Sequence, residues 1–211
     1  MIVNATAMTV APRTPYALSL ALLTALSLTA CLEDDPVVID EPPVVVVDDE
    51  EDDLTDELHL DGPNVSAPTL AAGVHRFGAR FSESVLLDYD GRELTGIRVV
   101  LGVEPEYLDL LVYEGGDAQP LEFVAEILVD DPVASRDFVE YALAEPLVID
   151  ADRPLWLVAE VELAIAQQSI GCDAEGSGVT DGDWLWSGDA WRPFSERTGA
   201  DVNWNIRGVI R

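Results

Sequence analysis

Four of the five tryptophans fall within residues 184–204, set among aspartates and glycines. In DGDWLWSGDAW, Trp184 and Trp186 stand two apart, and Trp191 follows a short Ser-Gly-Asp-Ala turn. Residues two apart on a strand point to one face. Trp184 and Trp186 would therefore share a face, and Trp191 would stand on the neighbouring strand. Flat indole rings suit the apolar faces of pyranose sugars. Acidic neighbours such as Asp181, Asp183 and Asp189 would accept hydrogen bonds from sugar hydroxyls. The same rings also serve as core and turn packing, because indole carries a large hydrophobic surface. Trp184, Trp186 and Trp191 are the candidate ligand-binding residues, with packing as their alternative role.

Oxygen-rich turns offer a second chemistry. Asp88-Tyr89-Asp90-Gly91 and Asp181-Gly182-Asp183 place carboxylates close together, and calcium takes six to eight oxygens. Neither stretch completes an EF-hand loop, because no Glu stands at its twelfth position, and Asp and Gly are ordinary turn residues. Calcium is a candidate cofactor on these turns alone, and no set of metal ligands is assigned. Cys172, in IGCDAEG, offers a thiol. A nucleophilic thiol needs a base, and His75 lies far away in sequence, so Cys172 reads as structural. His59 has no second ligand near it. The chain carries no HExxH, GxSxG, GxGxxG or P-loop. Two histidines and no lysine leave little for acid–base catalysis. Among 41 acidic residues no single carboxylate pair signals a glycosidase. No enzyme activity is expected.

The elements that would position these residues are strands. From about residue 63 the apolar residues recur with period two. LTGIRVVLG (94–102) sets Ile97, Val99 and Leu101 on one face. YLDLLVYEG (107–115) does so with Leu108, Leu110 and Val112. LEFVAEILV (121–129) aligns Phe123, Ala125 and Ile127, and DFVEYALAEP (137–146) aligns Val139, Tyr141 and Leu143. PLVIDADRPLWLVAEVEL (146–163) holds two strands around a turn at 150–154. DWLWSG (183–188) and NWNIRGVIR (203–211) follow, and a short helical turn fits SESVLLDYDG (82–91). About nine short strands separated by turn signals predict an all-β fold. The expected form is an antiparallel β-sandwich, jelly-roll-like rather than immunoglobulin-like.

The first thirty residues read differently. Residues 16–30 form an apolar run of fifteen after a segment whose one charge is Arg13. That is short for a membrane span and right for a signal peptide. The run ends in Leu28-Thr29-Ala30-Cys31, which resembles the lipobox of bacterial lipoprotein precursors. The resemblance implies that the Cys31 thiol is diacylglycerylated, that cleavage makes it the new N-terminus, and that it is then acylated again, commonly with palmitate. Thiolate is the nucleophile that such a lipid transfer needs, and two or three acyl chains anchor stably at about 0.8 kcal/mol per buried methylene. Leu32 rather than Asp follows the cysteine, which by resemblance to sorting in enteric bacteria favours the outer membrane. An ordinary secretory signal with a chance cysteine is the alternative.

Residues 32–62 hold fourteen acids and no arginine, with Pro36, Pro42 and Pro43. Proline breaks helices and like charges repel, so this reads as a disordered acidic stalk, with a calcium- or partner-binding tail as its rival. The expected domains are a signal peptide (1–30), lipidated Cys31 with the stalk (31–62), and the β-sandwich (63–211). The net charge of −30, with all 11 basic residues arginine, disfavours nucleic acid as a partner. The membrane is met through the lipid.

The C-terminal two-thirds, roughly 71–211, carries YDGRELTGIRVVL, LDLLVYEG, PLVIDADRPLWLVAEVEL, GCDAEG, GDAWRPF and NWNIRGVI in that order. This resembles the β-sandwich adhesin-like modules of bacterial surface proteins, including the gingipain-type haemagglutinin/adhesin domains. Trp184 and Trp186 depart from that pattern, in which aliphatic residues are usual. The resemblance implies a surface-deployed sandwich that binds rather than catalyses. The expected protein is a lipid-anchored envelope lipoprotein presenting a module for adhesion or binding, to a glycan or a surface protein. The alternatives are a carbohydrate-binding module and a structural or assembly component of the envelope.

Overall fold

The computed structural model describes residues 56–173 and 181–211. The signal sequence, Cys31, most of the acidic stalk and residues 174–180 lie outside the described residues. The period-two stretches form antiparallel strands: β1 (Asp56–Leu58), β2 (Thr69–Leu70), β3 (Gly73–Phe81), β4 (Glu93–Val99), β5 (Tyr107–Glu114), β6 (Glu122–Val129), β7 (Val139–Val148), β8 (Leu155–Leu163), β9 (Gln167–Gln168), β10 (Trp184–Trp186), β11 (Trp191–Pro193) and β12 (Ile206–Ile210). A short helix, α1 (Glu83–Leu86), runs into a 3-10 turn where SESVLLDYDG predicted one, and α2 (Phe194–Thr198) follows β11.

Six strands in the order β11-β10-β3-β8-β5-β6 make one sheet, and four in the order β1-β12-β4-β7 make the other. β2 and β9 form a separate ribbon. The chain passes from sheet to sheet at β3–β4, β4–β5, β6–β7 and β7–β8, as a jelly-roll-like antiparallel sandwich does. Between the sheets lies the main core. Phe77, Phe81, Leu108, Leu110, Val112 and Leu157 face it from the larger sheet, and Leu94, Ile97, Val99, Ile206 and Ile210 from the smaller, all fully buried. Each such side chain contributes about 1.5–3 kcal/mol of transfer free energy relative to exposure, which is why strict alternation forces this pairing of faces.

Three features depart from the sequence reading. First, the sandwich takes in residues ahead of 63. β1 pairs with β12, Asp56 opposite Ile210 and Leu58 opposite Gly208, and the Leu58 side chain is fully buried. The acidic composition of 56–62 hid this, because Glu57 and Asp61 are consumed by Arg98 and Arg207. Second, Phe123 does not share a face with Ala125 and Ile127. Val112 pairs with Ala125 but Tyr113 pairs with Phe123, so β6 carries one extra residue there. That bulge turns Phe123 outward, half exposed, against the Tyr113 ring at 5.6 Å. Third, Val100 is as buried as its neighbours Val99 and Leu101. Backbone from 170–172 and 64–66 covers that end of β4, through bridges Leu101–Ile170 and Ser66–Cys172.

Candidate functional site

Leu185 points into the core at 2 % exposure. Trp184 and Trp186, on either side of it, therefore point outward from the six-stranded sheet, each half-buried. β10 pairs with β3 on one side and β11 on the other, setting Trp186 opposite both Arg76 and Trp191, and Trp184 opposite Gly78 and Pro193. Trp184 and Trp186 share a face, and Trp191 stands on the neighbouring strand β11 opposite Trp186. Trp191 leans back across β3. A Cβ on Gly78 would lie 3.0 Å from Trp191 Cζ3 and 3.3 Å from Trp156 Cε3, so glycine there leaves the room in which the rings meet. Trp156, fully buried, is the floor, with centroids 5.3 Å from Trp184 and 5.7 Å from Trp191 at tilted angles. Leu111 and Val158 complete this second, smaller apolar cluster, and Tyr113 borders it. Sequence reasoning left Trp156 and Trp204 aside; Trp204 belongs to the main core, edge-on to Phe77 and Phe194.

Beside the rings the face turns polar. In the row through Trp186 stand Arg76, Glu160 and Asp109, on β3, β8 and β5. Arg76 lies over the Trp186 ring at 4.8 Å and donates from Nε to Glu160 Oε2. Tyr107 donates its hydroxyl to Glu160 Oε1 at 2.9 Å. Burial first, and then this hydrogen bond, push the Tyr107 phenol up to about 12. Burial also raises Asp109, helped by the charges of Glu160 and Glu126. The row thus offers indole faces, a guanidinium and carboxylate acceptors side by side. No short-range sequence signal marks Arg76, Tyr107, Asp109 or Glu160, because their proximity exists only through strand pairing.

The aspartates singled out beside the tryptophans serve other partners. Asp181 Oδ2 accepts from Arg80 Nη1 at 3.0 Å, and the same guanidinium reaches Asp117 Oδ1 at 2.8 Å and the Gly116 carbonyl at 3.2 Å. Asp183 Oδ2 accepts from the Ser195 amide at 2.8 Å at the start of α2. Asp189 Oδ1 lies 3.7 Å from Arg197 Nη2. In the other turn, Asp90 Oδ1 accepts from the Ala151 amide at 3.1 Å. Among the described residues no group of three or more His, Cys, Asp or Glu side chains is gathered for a metal ion. The calcium candidates are two separate turns, each folded around its own protein contacts.

Cys172 is 2 % exposed, with Ser66 Oγ 3.2 Å from its sulfur. Burial raises its thiol above the usual value, against the pull of the Ser66 hydrogen bond. His75 lies elsewhere, between the Ala71 carbonyl (2.9 Å from Nε2) and Ser187 Oγ (3.2 Å from Nδ1), tying β3 to the turn after β10. His59 Nδ1 meets the Asp61 carbonyl at 2.9 Å. Cys31 lies outside the described residues.

No protein family matches the sequence, and no curated protein does. Solved structures do share the fold. The chain is similar to the clostridial cysteine protease Cwp84 after propeptide cleavage, at 7 % identity and a TM-score of 0.53, over 74 % of this chain and 40 % of that one. It is also similar to a structure holding the cysteine protease and lectin-like domains of Cwp84, a surface-layer-associated protein of Clostridium difficile. There the identity is 8 % and the TM-score 0.50, over 74 % of this chain and 36 % of that one. The chain thus spans well under half the length of either structure, and the likeness is one of fold. It agrees with the antiparallel sandwich read from the sequence.

Proposed function

We propose that this chain is a lipid-anchored protein of the bacterial cell envelope whose sandwich is a non-catalytic module for adhesion or binding, and that surface glycan is the ligand of its outer tryptophan face. One observation carries the reading. Strand register sets Trp186 and Trp191 in one row with Arg76, Glu160 and Asp109. A sugar offers an apolar face and a ring of hydroxyls, and such a row meets both with partly exposed indole surface and fixed acceptors. Asp90, Asp181, Asp183 and Cys172 are occupied in packing and turn formation, which supports a binding role over a catalytic one. The likeness to a structure that holds a lectin-like domain of Cwp84 supports the same ligand class. The anchor rests on Leu28-Thr29-Ala30-Cys31. The outer membrane is the proposed site, from Leu32 after the cysteine.

Screening the purified chain on a glycan array, with tryptophan fluorescence as readout, tests the ligand. Saturable binding is expected, weakened at least about tenfold in Trp186→Ala and in Trp191→Ala, the scale of one ring's stacking, with circular dichroism unchanged. No glycan bound, with or without calcium, refutes the ligand and leaves a protein-binding or envelope-assembly role. The anchor is tested separately. Mass spectrometry is expected to find diacylglyceryl on Cys31, and Cys31→Ser is expected to release the chain from the membrane fraction.

A further inference from the structure

A cleft of about 600 Å³ opens at one end of the sandwich and shares no lining residue with the tryptophan face. That volume falls in the ordinary range for small-ligand pockets, about 300–1,000 Å³. Four stretches line it: residues 64–67, the chain leaving β4 at 100–102, the β6–β7 loop at 134–136, and Gln168 with Gly171 after β8. They are pinned to one another. Gly171 N donates to the Val100 carbonyl and Gly102 N to the Ser169 carbonyl, both at 2.7 Å, and Ser135 N donates to the Leu101 carbonyl at 3.1 Å. A Cβ on Gly171 would lie 2.7 Å from Asn64 Oδ1, so glycine lets Asn64 settle into the wall. Asn64 Nδ2 in turn donates to the Arg136 carbonyl at 3.2 Å, which fixes the backbone carrying that arginine.

The charge of this cleft is opposite to that of the chain. No acidic residue among those described lines it, and its one charged lining residue is the exposed Arg136. Seven of the ten described arginines hold a carboxylate within 4.0 Å. The Arg136 guanidinium makes no ion pair among the described residues. In so acidic a molecule an arginine left over at the mouth of a concave, acid-free site is a local exception to the surrounding field. Guanidinium matches carboxylate with two parallel hydrogen bonds. Around it, Ser135 Oγ accepts from the Asp137 amide at 3.0 Å and keeps its hydroxyl proton to donate, while Gln168 adds an amide. We propose that this cleft binds a small hydroxylated carboxylate of the uronic-acid type, its carboxylate on Arg136 and its hydroxyls on Ser135 and Gln168.

The test is calorimetric titration of the full-length chain with glucuronate, glucose and inorganic phosphate. Glucuronate is expected to bind saturably, and glucose and phosphate at least about tenfold more weakly. Arg136→Gln, at an exposed site without an ion pair, is expected to weaken glucuronate at least about tenfold. Arg192→Gln, which removes the same charge from the exposed side of β11, is expected to change it less than about twofold. Trp191→Ala is expected to leave it unchanged, so failure of the tryptophan face as a glycan site does not touch this result. The proposal is overturned by absence of saturable glucuronate binding or by equal losses in the two arginine variants. Phosphate or glucose binding as tightly as glucuronate overturns it too, as does loss of glucuronate binding in Trp191→Ala.

Discussion

Arg207 grips a carboxylate 146 residues earlier in the chain, and its removal measures how firmly the acidic segment ahead of residue 63 belongs to the fold. Arg207 Nε donates to Asp61 Oδ1 at 3.0 Å and Nη2 to Asp61 Oδ2 at 3.1 Å, while Nη1 donates to Glu57 Oε2 at 2.7 Å. The Asp61 side chain is 0 % exposed. Arg207→Met keeps much of the aliphatic stem and removes the guanidinium, which lies over the Phe138 ring at 4.1 Å. Asp61 is then buried without its cation, with Asn205 Nδ2 at 2.5 Å as its remaining side-chain donor. Breaking a buried pair from one side costs about 3–5 kcal/mol. With a urea slope of about 2 kcal/mol per molar, the unfolding midpoint is expected to fall by about 1.5–2.5 M. The sign of the pH effect is fixed as well. Burial already raises Asp61 above 3.8, against Arg207 and Asn205, and loss of Arg207 raises it further. A raised carboxylate contributes stability at low pH that is lost as pH rises through its folded value. The deficit of Arg207→Met is therefore expected to be small near pH 4 and to grow toward neutrality. Asp61→Asn added to Arg207→Met is expected to restore more than half of the loss. Urea unfolding by tryptophan fluorescence at several pH values reads all three. A loss under about 1 kcal/mol at pH 7, or a double variant less stable than Arg207→Met, refutes the argument.

Tyr107 is expected to ionise near pH 12 in a phenolate absorbance titration, a late phase that Tyr107→Phe removes. Because its folded value lies above the ordinary 10.0, its contribution is intact below pH 10 and lost as pH rises toward 12. Trp204 Nε1 donates to the Trp184 carbonyl at 2.8 Å, whereas the buried Trp184 Nε1 has no acceptor among the described residues. Trp204→Phe is accordingly expected to cost at least about 1 kcal/mol more than Trp184→Phe in urea unfolding, and the reverse order would contradict the packing described. In a Cys31→Ser chain, Cys172 is expected to resist a thiol-disulfide reagent while folded and to react on unfolding; fast labelling of the native protein would show that end of the sandwich to be open.

What could be read from the chain alone was whatever depends on neighbours in sequence. Period two in 107–115 and 155–163 requires one buried face, and Leu108, Leu110, Val112 and Leu157 fill the core for that reason. Trp184 and Trp186 share a face because they are two apart on a strand. The apolar run ending at Cys31 carries its expectation of lipidation within a few residues. Tertiary structure decided which face is outer, and therefore that Trp184 lies against Trp156 and Trp186 beneath Arg76. It also decided that Arg76, Tyr107, Asp109 and Glu160 stand beside them, since register across β3, β8 and β5 joins residues up to 84 apart. One extra residue in β6 turned Phe123 to the other face, an outcome that alternation cannot anticipate. The acidity of 56–62 looked like solvated stalk, because charge in sequence does not say where its arginine will be. Asp61 is buried only because β12 brings Arg207 to it. Local pattern sets which side chains go together; the pairing of distant strands sets what they meet.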